Sequence, residues 1–216
     1  MNIDQSLATK LLSIKAIKLS PTNPFTWASG LRSPIYCDNR ISLAFPEVRN
    51  EIITGFSSLI EEKSLQCDSI VGVATAGIPH GAILANHLQL PFAYVRSKAK
   101  AHGRQNQIEG LLKKGDKVIL IEDLISTGGS SLQAVKVLED NGIKVLDVFS
   151  IFSYNLTKAE QNFKEANSSY TSLTNYPSLL QTAKKNGYIS DSEYTILEQW
   201  YLDPKVWSDQ FLKNNY

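Results

Sequence analysis

The sequence predicts an α/β fold, with a central, mostly parallel sheet flanked by helices. Two observations carry that expectation. Short β-branched and aliphatic runs at 69–74, 92–95, 118–121 and 143–152 alternate with helical patterns, and such alternation sets successive strands parallel through right-handed crossovers. Two of these runs end in small-residue turns, ATAG at 74–77 and STGGS at 126–130. Both turns fall at the C-terminal ends of their strands, where an open parallel sheet keeps its ligand crevice.

At 216 residues the chain can bury a substantial core, and it is read as one domain. Within 1–216, residues 1–45 are expected to contribute a hood, 66–154 the α/β core and 155–216 a flanking helical region. Lys and Arg number 22 against 21 Asp and Glu, so a net charge of +1 gives no reason to expect nucleic acid or a membrane as partner. No apolar run approaches the roughly 18 residues of a membrane span. The N-terminus is amphipathic, carries an acid and lacks the apolar centre of a signal peptide, which points to the cytoplasm. In that compartment Cys37 and Cys67 are expected to be reduced and buried. The two cysteines and three histidines show no metal-ligand spacing, which argues against a structural zinc site.

Taken in order, residues 2–17 carry Ile3, Leu7, Leu11, Leu12 and Ile14 on one helical face. PTNPFTWASGLRSPIYCDNR (21–40) mixes aromatic, Pro and Gly residues without a period. It suits a pocket for a flat ring or a packed connection, and the packed connection is the plainer reading. Pro46 opens a helix bearing Val48, Ile52, Phe56 and Leu59. The strand at 69–74 runs through its turn into a helix ending near Leu88; His80 and His87 on it have ordinary core or surface roles. Trp27, Trp200 and Trp207 are read as core or interface. After 92–95 comes RSKAKAHGRQNQIEG (96–110), with Arg96, Lys98, Lys100, His102 and Arg104 and no acid before Glu109. Such a run is commonly just a solvated face, but a long polar loop inside a compact α/β core is usually a lid or binding loop. Beyond Tyr154 helices are expected at 157–166, from near Pro177 to Gly187, and over 191–202, where Asp203-Pro204 stops the last one.

The chemistry concentrates in VILIEDLISTGGSS (118–131). A hydroxyl- and glycine-rich turn between strand and helix aims free backbone N–H groups and the positive helix end at one point, as a phosphate requires. It is not a Walker A loop, because no Gly-Lys-Ser/Thr follows. Glu122 and Asp123 would repel that phosphate, so they need a diol or a metal to face. A substrate with a monophosphate, a vicinal diol and a diphosphate satisfies all parts, and phosphoribosyl diphosphate is such a molecule. Ser126–Ser130 would hold its 5′-phosphate, while Glu122 and Asp123 face the ribose hydroxyls and stabilise positive charge growing there. Loop 74–77, Arg96, Lys100 and His102 would hold the diphosphate. Mg²⁺ would bridge it to the sugar, bound by substrate and water rather than by a protein cage.

ILIEDLISTGGSS resembles the diphosphate-sugar signature of the type I phosphoribosyltransferases. GVATAGIPHGA, AYVRSKAKAHGRQNQIEG, FTWASGLRSPIYCDNR and the tail are together similar to the bacterial orotate enzymes of that family, over nearly the whole chain. The resemblance implies a type I phosphoribosyltransferase fold with a small N-terminal hood. It implies Mg²⁺-dependent conversion of orotate and phosphoribosyl diphosphate into orotidine 5′-monophosphate and diphosphate, in pyrimidine synthesis. It also implies a homodimer in which loop 96–110 serves the neighbouring subunit. Carried over singly, Arg96, Lys100 and His102 match the diphosphate-binding loop. Glu122, Asp123, Leu124, Ile125, Ser126, Thr127, Gly128, Gly129 and Ser130 match the ribose-phosphate segment. Lys100, His102, Glu122 and Asp123 would be catalytic, and Ser126 also an orotate contact. The backbone near Ser29-Gly30 and the ring of Phe25 are further candidates for orotate. Some members carry lysine where this chain has Ala28, Ala76 and Ser97, and arginine where it has Tyr154. A purine or uracil phosphoribosyltransferase would share 118–131 but gives no reason for the 96–110 loop. A non-catalytic, DNA-binding sensor would need a basic face that the balanced charge does not provide.

Overall fold

The computed structural model describes residues 3–27, 29–97 and 107–215. Its centre is a six-stranded sheet in the order β10-β9-β8-β5-β6-β7, formed by Tyr170–Asn175, Lys144–Ser153, Lys117–Ile125, Ser69–Val73, Phe92–Val95 and Ile108–Glu109. Every pairing is parallel except that of β7, which returns antiparallel along the edge of β6. The parallel part requires crossovers, and α3 (Gly77–Leu88), α4 (Gly129–Asp140) and α5 (Thr157–Glu165) supply them.

Strand β8 shows why the sheet is sandwiched. Its alternate residues divide between two cores: Ile119 and Ile121 join one, Val118 and Leu120 the other. The first core is covered by α1 (Ile3–Ser13), α2 (Pro46–Glu62), α3, α6 (Tyr176–Lys185) and α7 (Asp191–Leu202). The second lies under α4 and α5, through Ala134, Val135, Leu138, Ala159 and Phe163.

Ahead of the sheet, the chain makes two small antiparallel ladders. β1 (Ile17–Leu19) pairs with β4 (Ile35–Cys37), and β2 (Phe25–Thr26) with β3 (Arg32–Ser33). A 3-10 helix, Asn39–Ala44, leads from them into α2, with the Asp38 side chain accepting from the Arg40 amide at its start.

Four expectations need correction. The first helix ends at Ser13 rather than 17: Lys15 takes a left-handed conformation (φ 59°), and Ile17 enters β1 instead. The region 155–216 is not all helical, because β10 pairs with β9 as an edge strand; its mixed, half-polar sequence YTSLTN hides the period. Asp203-Pro204 ends one helix and starts another, α8 (Pro204–Asn215). Asp203 Oδ1 accepts from the amides of Lys205 and Val206, and proline suits the first helical position. Finally, β8 runs on to Ile125, so Glu122 and Asp123 lie inside the strand, with Glu122 opposite Ser150 of β9.

At the start of α3, a Cβ on Gly77 would stand 2.2 Å from the Ile121 carbonyl oxygen, a backbone atom of β8 that has nowhere to go. Gly77→Ala is therefore expected to destabilise the fold by about 1–3 kcal/mol, the usual range for overpacking. Urea unfolding followed by circular dichroism measures it, and an unchanged midpoint would contradict this packing.

Candidate active site

The site grows from the junction of β8 and α4. Gly128 caps the helix with φ +80°, a conformation that favours glycine, and a Cβ there would meet the Phe163 ring at 2.5 Å. The first hydrogen bond entering α4 runs from Leu132 N–H to the Gly128 carbonyl. The amides ahead of Leu132, from Ser126 to Ser131, have no backbone acceptor among the described residues. Together they make a cradle suited to an anion at a positive helix end. The turn is braced from below: Asn162 on α5 donates from Nδ2 to the Thr127 carbonyl at 2.8 Å.

The two acids lie against this cradle. Glu122 is 5% exposed. One of its oxygens accepts from Ser130 Oγ at 3.1 Å and Ser131 Oγ at 3.2 Å, the other from the Asp123 amide at 3.1 Å. Burial, and next the negative charge of Asp123, push the Glu122 carboxyl up to about 8. Asp123 is also raised, mainly by burial, while the nearby Arg40 guanidinium opposes the rise. Both carboxyls are therefore moved toward their protonated forms, as crowded, buried carboxyls are. Asn39 Nδ2 fixes the backbone beneath them by donating to the Asp123 carbonyl at 2.7 Å.

The second loop reaches the same edge. The Ala74 amide donates to Val95, whereas those of Thr75, Ala76 and Gly77 have no backbone acceptor among the described residues. The Ala74–Thr75 peptide is cis. A small cleft of about 30 Å³ brings Ala74, Arg96, Ser97 and Ser130 together, so Arg96 stands beside both turns. Arg96 is half-buried and lies 3.5 Å from Glu109. Backbone and side chain of Gln107 bond Arg96 at the base of the 96–110 loop. Lys98, Lys100, His102 and Arg104 fall outside the described residues.

A second cavity, of about 260 Å³, lies against the two small ladders. Thr26, Trp27, Tyr36, Cys37, Leu124, Ser126 and Tyr154 line it. Its size suits one flat heterocycle. Tyr154 is 2% exposed and packs against Trp27, Phe152, Tyr176 and Trp200. The Cys37 thiol is held well above its ordinary range by burial and then by the charges of Asp123 and Asp38, so it stays protonated. Ser126 and Trp27 also border a larger neighbouring cavity of about 700 Å³, with Ser29, Gly30 and Thr127.

Of the residues expected from sequence, Arg96 and Glu122 to Ser130 converge on one edge. Ile125 is the exception within that segment: its side chain is buried in the second core and its carbonyl accepts from Tyr154. Phe25 packs on Tyr36 and does not line the smaller cavity; Ser29 and Gly30 border only the larger one. Trp27 departs from its expected role, since it walls both cavities as well as packing on the core. Thr26, Tyr36, Cys37, Asn39 and Asn162 were not singled out. The aromatic, aperiodic run 21–40 was the available signal for the first four. Cys37 and Cys67 are both free and half-buried, His80 is fully buried and His87 exposed. Burial and then Arg49 push His80 down to about 4, so it stays neutral. No helix among the described residues is long and apolar enough to cross a membrane.

A carboxyl raised from 4.5 to about 8 binds a proton in the folded state that the unfolded chain has released. Rising pH therefore weakens the fold by up to about 1.4 kcal/mol per pH unit within that window, and no further above it. Glu122→Gln removes the penalty. Its melting temperature relative to the parent chain should climb from about pH 5 to about pH 8 and then level off; a gap independent of pH would mean that Glu122 ionises normally.

A family model described as a phosphoribosyl transferase domain matches residues 43–175. An orotate phosphoribosyltransferase from Lactococcus lactis subsp. cremoris is 50% identical over 96% of this chain and 99% of its own length. That of Bacillus subtilis is 52% identical over 94% of each chain. Among solved structures, orotate phosphoribosyltransferase from Aeropyrum pernix superposes with a TM-score of 0.74 at 27% identity, covering 85% of this chain and 99% of that one. On fold, site and full-length similarity alike, the chain belongs to the orotate phosphoribosyltransferase family.

Proposed function

We propose that the protein transfers the ribose 5-phosphate group of phosphoribosyl diphosphate to orotate, giving orotidine 5′-monophosphate and diphosphate in UMP biosynthesis. The observation that carries this reading is the order of parts along one sheet edge. The cradle at Ser126–Ser131, the acids Glu122 and Asp123, and the cavity at Trp27, Cys37 and Tyr154 are contiguous, and Ser126 belongs to both cradle and cavity. A 5-phosphate, a ribose and a flat base fit that order.

In this reading the cradle amides hold the 5-phosphate, and loop 74–77 with Arg96 holds the diphosphate. The bond from C1′ to the departing diphosphate oxygen breaks, a bond from the orotate ring nitrogen to C1′ forms, and the proton of that nitrogen leaves to the diphosphate or to water. Positive charge appears on the ribose between these events. Asp123, with Glu122 hydrogen-bonded beside it, faces the ribose and stabilises that charge in a partly dry site. Leu124 and the hood exclude water from the base. Mg²⁺ is the expected cofactor and would neutralise charge on the diphosphate. Glu122 and Asp123 are hard oxygen donors suited to it. The ion would be held mostly by substrate and water. The expected setting is a cytoplasmic homodimer with shared 96–110 loops.

Incubation with phosphoribosyl diphosphate, Mg²⁺ and single bases tests the reading: orotate should be consumed far faster than uracil or any purine, and equal turnover of uracil would sink it. Lys100→Ala should lower turnover on the order of 10²–10³-fold with orotate affinity nearly unchanged, because its ammonium meets charge strongest in the transition state. Intact turnover with weakened orotate binding would assign Lys100 to the other end of the site. For the shared loop, nearly inert Lys100→Ala and Asp123→Asn subunits can be allowed to exchange. Random pairing in a two-fold dimer makes about half the dimers mixed, with half their sites whole, so about one quarter of parent activity should return. Activity staying at the average of the two variants, with exchange shown independently, rules loop sharing out.

A further inference from the structure

The residues around the base cavity present a puzzle of charge. Thr26, Trp27, Tyr36, Cys37, Leu124, Ser126 and Tyr154 are all uncharged. The Trp27 indole N–H is already committed to the Ile35 carbonyl at 3.2 Å. The Tyr154 hydroxyl has no hydrogen bond to any described residue, but it is neutral, and burial pushes its titration well above the ordinary phenol range. Taking an anionic base from water into such a cavity on neutral donors alone is costly, whereas charge-assisted hydrogen bonds offset the loss of hydration.

Among the described residues, one cation hydrogen-bonds to a side chain that lines this cavity. Thr26 and Arg32 face each other across the β2–β3 ladder, and Arg32 Nη1 donates to Thr26 Oγ1 at 2.7 Å. That bond uses one lone pair of the hydroxyl and leaves its proton free to point into the cavity. Arg40 is paired with Asp38 and Arg96 lies against Glu109, but Arg32 has no carboxylate partner among the described residues. Its backbone N–H donates to Ser208 Oγ at 2.9 Å, and Ser208 is 2% exposed, so α8 anchors the strand that carries it.

We propose that the Thr26 hydroxyl, polarised by Arg32, holds the carboxylate of the acceptor base, and that this pair selects an anionic pyrimidine over a neutral one. Thr26 touches the substrate; Arg32 acts through it as a positioning residue. The inference rests on orotate being the acceptor, and deepens that reading.

The test measures turnover, the KM values for orotate and phosphoribosyl diphosphate, and inhibition by uracil, in the full-length chain. Thr26→Val and Arg32→Gln should each raise the KM for orotate about tenfold to a hundredfold, the range for a hydrogen bond to a charged group. The KM for phosphoribosyl diphosphate and the uracil inhibition constant should move less than about twofold. Thr26→Ser and Arg32→Lys should stay within a few-fold of the parent. An unchanged orotate KM overturns the proposal, and so does an equal loss for uracil and orotate, which would mean only a disordered hairpin. Should Arg32→Gln fail to fold, Thr26→Val decides alone, because valine keeps the shape and the bond to Ser208 is made by the Arg32 backbone. A parent chain inert with orotate would overturn the proposed reaction itself; an active parent with unaffected variants would overturn this contact alone.

Discussion

The structure depends on a carboxyl buried where strand meets helix. Glu122 lies inside the C-terminal half of β8, and the Ser130 and Ser131 hydroxyls of α4 donate to it. A buried acid without donors would cost several kcal/mol, so the start of α4 is held where those hydroxyls can reach. The turn from Ser126 to Gly129 has little freedom left once strand end and helix start are tied together. Phe163 closes the space beneath Gly128, and Asn162 holds the Thr127 carbonyl, so the amides face outward. The anion cradle is thus a by-product of satisfying one acid.

The same acid explains why the site can carry two carboxyls beside a phosphate. Burial moves both carboxyls toward their protonated forms, which lessens the repulsion a phosphate in the cradle would feel. Arg40 opposes the rise of Asp123 without cancelling it. In the proposed reading Asp123 faces the ribose while Glu122 ties β8 to the start of α4.

Much of this was legible in the sequence because it is local. The strand–acid–turn–helix run at 117–140 carries its own periods, and the parallel sheet follows from repeating that unit. What was not legible depends on partners far along the chain. β10 is a strand because β9 lies beside it; its own residues, YTSLTN, are half polar and sit at the sheet edge. The base cavity draws on Trp27, Cys37, Leu124 and Tyr154, which share no sequence period, and Trp27 is placed by a bond to Ile35 and by Tyr154 and Trp200 behind it. Asn162 looks like any exposed helix residue until the Thr127 carbonyl is found above it.

The two ends of the site accordingly rest on supports of different strength. The cradle and acids belong to a six-stranded sheet buried on both faces, where β8 pairs with β5 and β9. The base cavity is roofed by ladders of two and three residues, which are too short to be stable alone. They persist because Trp27 packs inward on the aromatic cluster and because Ser208 of α8 holds the Arg32 amide. Ser208 is 176 positions from Arg32, so the shape of the base cavity depends on the last helix of the chain. In the proposed reading, phosphate recognition thus sits on the central sheet. Base recognition sits on the part whose geometry α8 sets, and changes in α8 should alter the choice of base before they alter the grip on phosphate.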